Sequence, residues 1–164
     1  MKIATAWSTA EIAGKAVDES FQSIRARLGD EPHMLMVFAS ASYDNDELVS
    51  HLRPLAPQAQ LIGGTSCLGV LTREGFHSVD GRGMGLLAIH DPLGSYGVGI
   101  AEINDDVAAS TKSAIDGALS LADRPGELPA LVLTSSSPGF EEHQINAIEE
   151  LLGQGIPIFG GTSA

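Results

Sequence analysis

The chain has 164 residues, 43% of them hydrophobic and 18% charged, and its 21 acidic against nine basic residues give a formal charge of -12. That length can bury the core of one domain, the charge argues against a nucleic-acid partner because no Lys/Arg cluster offsets it, and no apolar run approaches the roughly 20 residues needed to span a bilayer. The single cysteine, Cys67, excludes an internal disulfide and any multi-cysteine metal centre, and the absence of a leader pattern at Met1 makes a cytoplasmic location the expectation.

Residues 2–7 alternate and read as a strand, and Ser8 with Glu11 has the spacing of a capping box. A helix is expected from there, with Ile12, Ala16, Phe21, Ile24 and Leu28 on one face and Gly29 and Pro32 as the stop. The apolar run 34–38 reads as a strand covered on both faces. Asp44, three before Glu47, opens a second helix carrying Leu48, Val49 and Leu52, which Pro54 closes. A short strand, 60–62, then runs into Gly63-Gly64. Residues 67–95, with Gly75, Gly81, Gly83 and Gly85 and the apolar run 86–89, read as antiparallel hairpin strands.

The order then repeats. Residues 96–103 read as a strand with Gly97 and Gly99 between apolar positions, and 105–122 as a helix facing inward through Val107, Thr111, Ala114, Ile115, Ala118 and Leu119. A strand at 131–133 follows, then a helix with Ser137 as N-cap, Pro138 at its first position and Ile145, Ile148, Leu151 and Leu152 toward the core. Gly153, Gly155 and Pro157 break it before a last strand at 158–159. Leu61-Ile62-Gly63-Gly64-Thr65-Ser66 returns as Ile158-Phe159-Gly160-Gly161-Thr162-Ser163, and Met34 to Ser42 matches Ala130 to Ser137 in kind if two residues of insertion are allowed.

The fold class expected is therefore α/β: duplicated strand-helix-strand-helix-strand units, about 1–67 and 96–164, with an antiparallel meander between them and helices packed on sheet faces. Residues 1–164 are read as one domain. Because the second unit stops where its own meander would begin, a natural parent continuing past Ala164 is expected.

The strand and turn patterns at Val37-Phe38-Ala39-Ser40, Ile62-Gly63-Gly64-Thr65-Ser66 and Pro157-Ile158-Phe159-Gly160-Gly161 resemble the N-terminal part of FIST domains. The resemblance covers essentially the whole chain and implies a sensory input module for small ligands such as amino acids. It also implies partners: a FIST C-terminal domain, or output proteins such as histidine kinases, methyl-accepting proteins or cyclic-dinucleotide enzymes. Some members of the family are described as haem-based nitric oxide sensors.

In parallel α/β units ligands gather where strands end and helices begin. The residues so placed are Ser40, Ser42, Gly63, Gly64, Thr65 and Ser66 in the first unit, and Ser135, Ser136, Gly160, Gly161, Thr162 and Ser163 in the second. Hydroxyls donate and accept, and glycine admits a ligand close to the backbone, so together they could hold a carboxylate or small organic anion. The plain alternative for each is a turn or a helix cap. The turns lack a P-loop's Lys-Ser/Thr and a dinucleotide fingerprint, and there is no Gly-x-Ser-x-Gly elbow, zinc motif or carboxylate dyad. Asp44, Asp46, Glu47, Glu141 and Glu142 sit where helix N-termini favour acids.

No catalytic and no metal-ligating residue is assigned. The histidines, His33, His51, His77, His90 and His143, are scattered singly, with His77 and His90 the candidates for an axial haem ligand. The leading expectation is a non-enzymatic, small-ligand-binding sensory module without a cofactor. A haem-binding gas sensor is the alternative, and an enzyme of unknown type the third reading.

Overall fold

A computed structural model describes residues 1–162 of the chain. It is α/β, as the sequence pattern implies, with four helices and eight strands among the described residues. The chain divides into two compact units, Met1–Gly94 and Ser95–Ala164.

The first unit contains β1 (Lys2–Ser8), α1 (Ala13–Leu28), β2 (Met34–Ser40), α2 (Asn45–Leu52), a short 3-10 turn (Arg53–Leu55), β3 (Gln60–Ser66), β4 (Val70–Thr72), β5 (Gly75–His77) and β6 (Met84–His90). Its main sheet has the order β1-β6-β2-β3. Strands β2 and β3 are parallel, whereas β6 runs antiparallel to both β1 and β2 and separates them. The expected meander is thus only partly a separate hairpin: β4 and β5 pair with each other, while the last strand enters the middle of the sheet. Its alternation suits that place, with Met84, Leu86 and Ala88 buried on the face that β1 lines with Ala4 and Ala6 and β2 with Leu35 and Ala39.

Helix α1 covers that face with Ala16, Val17, Phe21, Ile24 and Leu28, all essentially buried. It begins later than the capping-box spacing suggests. Ile12 is the N-cap and is exposed, with no side-chain cap. Ser8 is still in β1, where its hydroxyl donates to Glu19 Oε2 at 2.6 Å and accepts from Ala10 N. A partner eleven residues on, brought near by folding, has displaced the local one. Helix α2 follows the sequence signals, since the Asp44 carboxylate accepts from the amides of Asp46 and Glu47.

The second unit holds α3 (Val107–Leu121), β7 (Val132–Ser136), α4 (Glu141–Leu152) and β8 (Ile158–Thr162). Strands β7 and β8 form a parallel pair joined through α4, and α3 packs on α4. No strand forms over residues 96–103. Gly97 and Gly99 lie against α3 instead, so close that a Cβ on Gly99 would sit 1.7 Å from the Ala114 carbonyl oxygen. The alternating glycines serve this helix contact rather than a ladder. Helix α4 also starts late: Gly139 turns the chain at φ 93, Glu141 is the first helical residue and Phe140, not Ser137, is the N-cap.

The two parallel pairs share one close contact. Gly63 faces Val37 and Gly160 faces Thr134, and in both pairs an added Cβ would lie 1.9 Å from the carbonyl oxygen of the facing residue. The steps from 37 to 63 and from 134 to 160 are equal, so by ladder position Val37 matches Thr134 rather than Val132, without the insertion that the sequence match requires.

Ser20 of α1 is 0% exposed and its hydroxyl oxygen has no hydrogen-bond partner. Removing an unsatisfied buried hydroxyl and gaining alanine's helix propensity both favour the folded state. Ser20→Ala should therefore raise the unfolding free energy by about 1 kcal/mol, read as a higher urea midpoint at unchanged slope; a lower midpoint would show that the hydroxyl is bonded.

Candidate functional site

In the first unit β2 and β3 end side by side, with Ser40 opposite Ser66 and Ala39 opposite Thr65. Ser40 is fully buried, and its hydroxyl accepts from Gly83 N at 3.0 Å while its own amide donates to Gly83 O. The Ser42 hydroxyl donates to Gly81 O at 2.9 Å. Tyr43 belongs to the core, donating to Ala10 O at 2.6 Å, and burial pushes its phenol up from the ordinary range. These groups fasten the turn before β6 to the strand ends. Gly63 and Gly64 lie within the β2–β3 ladder, and Ser66 Oγ is buried without a hydrogen-bond partner.

In the second unit Thr134 pairs with Gly160, Ser135 with Gly161 and Ser136 with Thr162, while Ser163 lies outside the described residues. Ser135 is exposed. Ser136 is buried, and its hydroxyl donates to Ser137 O at 2.9 Å. Between this sheet face and α4 lies a cavity of about 420 Å³. The sheet contributes Thr134, Ser136, Ile158 and Gly160, the helix contributes Glu141, Gln144, Ile145 and Glu149, and Gly161 and Ile156 complete the wall. Of the predicted residues, this brings together Ser136, Gly160 and Gly161.

The two strand-helix-strand stretches differ in polarity under their helices. At the positions matching Thr134 and Ser136 it carries Val37 and Ala39, and at those matching Ile145 and Glu149 it carries Leu48 and Leu52. Leu48, Leu52 and Ala39 are buried in the core cluster and Val37 packs against it. In the second unit three of these four positions carry polar groups of similar or larger size, Thr134, Ser136 and Glu149, and the fourth, Ile145, is 40% exposed at the cavity rather than turned into a core. Thr134, Gln144 and Glu149 were not legible as site residues from their loops, because they face the cavity from a strand interior and a helix flank. The signal available was the replacement of Val37, Ala39 and Leu52 by Thr134, Ser136 and Glu149 within the repeat.

The sequence matches the FIST N domain over residues 33–164. The chain belongs to the FIST family. FIST domains are sensory domains of signal transduction. Among curated proteins, nothing matches the chain. No helix among the described residues of this FIST domain is long and apolar enough to cross a membrane.

Haem, which the family implies as one option, needs a histidine with an accessible ring nitrogen beside an apolar crevice. His77 does not fit. Its ring stacks on Trp7 at 3.7 Å between centroids with 10° between planes, and its Nε2 shares a 2.8 Å hydrogen bond with Thr72 Oγ1. His90 is tilted against His33 at 4.9 Å, with Nδ1 2.8 Å from Glu31 O. Neither residue lines the cavity of the second unit. Among the described residues no group of three or more His, Cys, Asp or Glu could hold a metal ion.

The Trp7–His77 stack instead fastens β4–β5 to β1. Trp7 Nε1 donates to Glu74 Oε2 at 3.0 Å, and this bond holds the Glu74 carboxyl below the ordinary glutamate range, helped by the charge of Arg27. A depressed carboxyl contributes stability that is present above the ordinary glutamate range and is lost as pH falls through the depressed value. Trp7→Phe should return the Glu74 titration to the ordinary range, seen in its carboxyl carbon shift by NMR. In the unsubstituted chain the fluorescence of Trp7, the sole tryptophan, should change as that carboxyl protonates; a Glu74 titration unmoved by Trp7→Phe would refute the bond.

Proposed function

We propose that this FIST domain is a non-enzymatic sensory input module that binds a small molecule in the cavity between α4 and the β7–β8 pair. The observation that carries the reading is the contrast between the two strand-helix-strand stretches: one is filled by Val37, Ala39, Leu48 and Leu52, and the other carries Thr134, Ser136, Ile145 and Glu149 around about 420 Å³. The space opens to solvent beside half-buried polar groups, which leaves room for a ligand to enter. The apolar wall of Ile145, Ile156 and Ile158 with a few convergent polar groups is the usual make-up of a small-molecule site.

Ser136, Gly160 and Gly161 act here as wall residues, and Thr134 supplies a further hydroxyl. The strand-end hydroxyls Ser40 and Ser42 serve the first unit's turn instead. The signal is a population shift, because a ligand that binds one arrangement of α4 over the sheet better than another changes their ratio by that difference in affinity. A FIST C-terminal domain or a signalling output protein reads that shift.

Thermal unfolding of the chain against a panel of small metabolites tests this. A ligand at 100 times its Kd adds about 2.7 kcal/mol, a shift of several degrees for a domain of this size. Thr134→Leu, which fills the cavity from the sheet side, should abolish that shift while the ligand-free Tm stays level or rises. A panel without a saturable shift, or a shift that survives Thr134→Leu, sinks the proposal.

A further inference from the structure

The chemistry of the cavity wall selects the ligand's charge. Two carboxylates, Glu141 and Glu149, stand in the lining, and it contains no lysine, arginine or histidine among the described residues. Gln144 Oε1 is buried in the same wall and has no hydrogen-bond partner. A buried acceptor without a donor costs free energy that an incoming N–H group restores. One Glu141 oxygen already accepts from Gly139 N at 2.8 Å, so the start of α4 has its own anion and offers little to a second. An entering carboxylate or phosphate would meet two like charges and an unsatisfied acceptor, without a cation to answer it.

We propose, resting on the sensory reading above, that the ligand of this cavity is a short aliphatic amine or guanidine whose cationic head binds between Glu149 and Gln144. Its hydrocarbon part lies against Ile145, Ile156 and Ile158. The Thr134 hydroxyl, which can accept as well as donate, adds a further acceptor on the sheet side. This reverses the charge expected from the strand-end loops, where hydroxyls and glycines suggested a bound carboxylate. Those loops present backbone and hydroxyl groups, whereas the cavity wall is set by α4, whose inward carboxylates the loop pattern does not reveal.

Calorimetric titration of the 164-residue chain with putrescine, agmatine, succinate and butanediol separates the possibilities. The amine or guanidine should bind saturably, more weakly as salt rises, and the diacid and diol should not. Glu149→Gln should weaken amine binding about tenfold or more, in keeping with the loss of a charge-assisted hydrogen bond in a partly buried site, and leave the Tm of the free protein little changed. Gln144→Leu gives an independent check through the neutral acceptor and should also weaken binding. Binding of succinate that Thr134→Leu abolishes would overturn the amine assignment and keep the cavity as the sensory site. Amine binding untouched by both Glu149→Gln and Gln144→Leu would overturn the assignment, and no binding by any of the four probes would overturn it as well.

Discussion

Each unit of this FIST domain depends on a glycine that lets two parallel strands close up. At Gly63 and at Gly160 the backbone approaches the facing carbonyl so nearly that a Cβ would lie 1.9 Å from its oxygen, well inside any tolerable contact. The strands can keep their register only while these positions carry no side chain. Register matters because a slip of one residue exchanges the two faces of a strand. With register fixed, Leu35, Val37 and Ala39 stay under the helices in the first unit, and Thr134 and Ser136 stay under α4 in the second.

The same frame therefore supports two different interiors. In the first unit α1 and α2 close over a continuous apolar surface, and β6 extends that surface by entering between β1 and β2 with Met84, Leu86 and Ala88. In the second, the buried apolar set among the described residues is small: Ala147, Ile148 and Leu152. Ile100, Leu121, Leu128, Leu131 and Phe159 remain exposed. All three buried residues belong to α4.

Much of this was legible in the sequence, for identifiable reasons. The helices and parallel strands follow from apolar spacing, and the Asp44 cap and the left-handed Gly29 stop of α1 from local chemistry. What failed was decided at a distance. Ser8 and Glu11 have the local spacing of a cap, but Glu19 takes the serine hydroxyl. Gly97 and Gly99 look like strand residues because their neighbours are apolar, yet they are glycine for the sake of the α3 backbone. The place of β6 in mid-sheet is a topological choice that alternation cannot reveal. For the candidate site, the repeat pointed to strands that line the cavity, while the loops drew attention away from Thr134, Gln144 and Glu149, which lie within elements.

The contrast between the units also bears on what kind of change the domain transmits. The cavity is walled by α4 along Glu141, Gln144, Ile145 and Glu149, over two turns, and by the sheet through Thr134, Ser136 and Ile158. In the proposed reading a ligand in that space would supply contacts of the kind that Leu48 and Leu52 make within the first unit's core. Under that reading binding acts as a reversible completion of the core, and it stabilises the arrangement it favours by its own differential affinity and nothing more. Helix α3 packs on α4, so under the proposed sensory reading the pair is the element whose equilibrium a ligand would bias and an output partner would read.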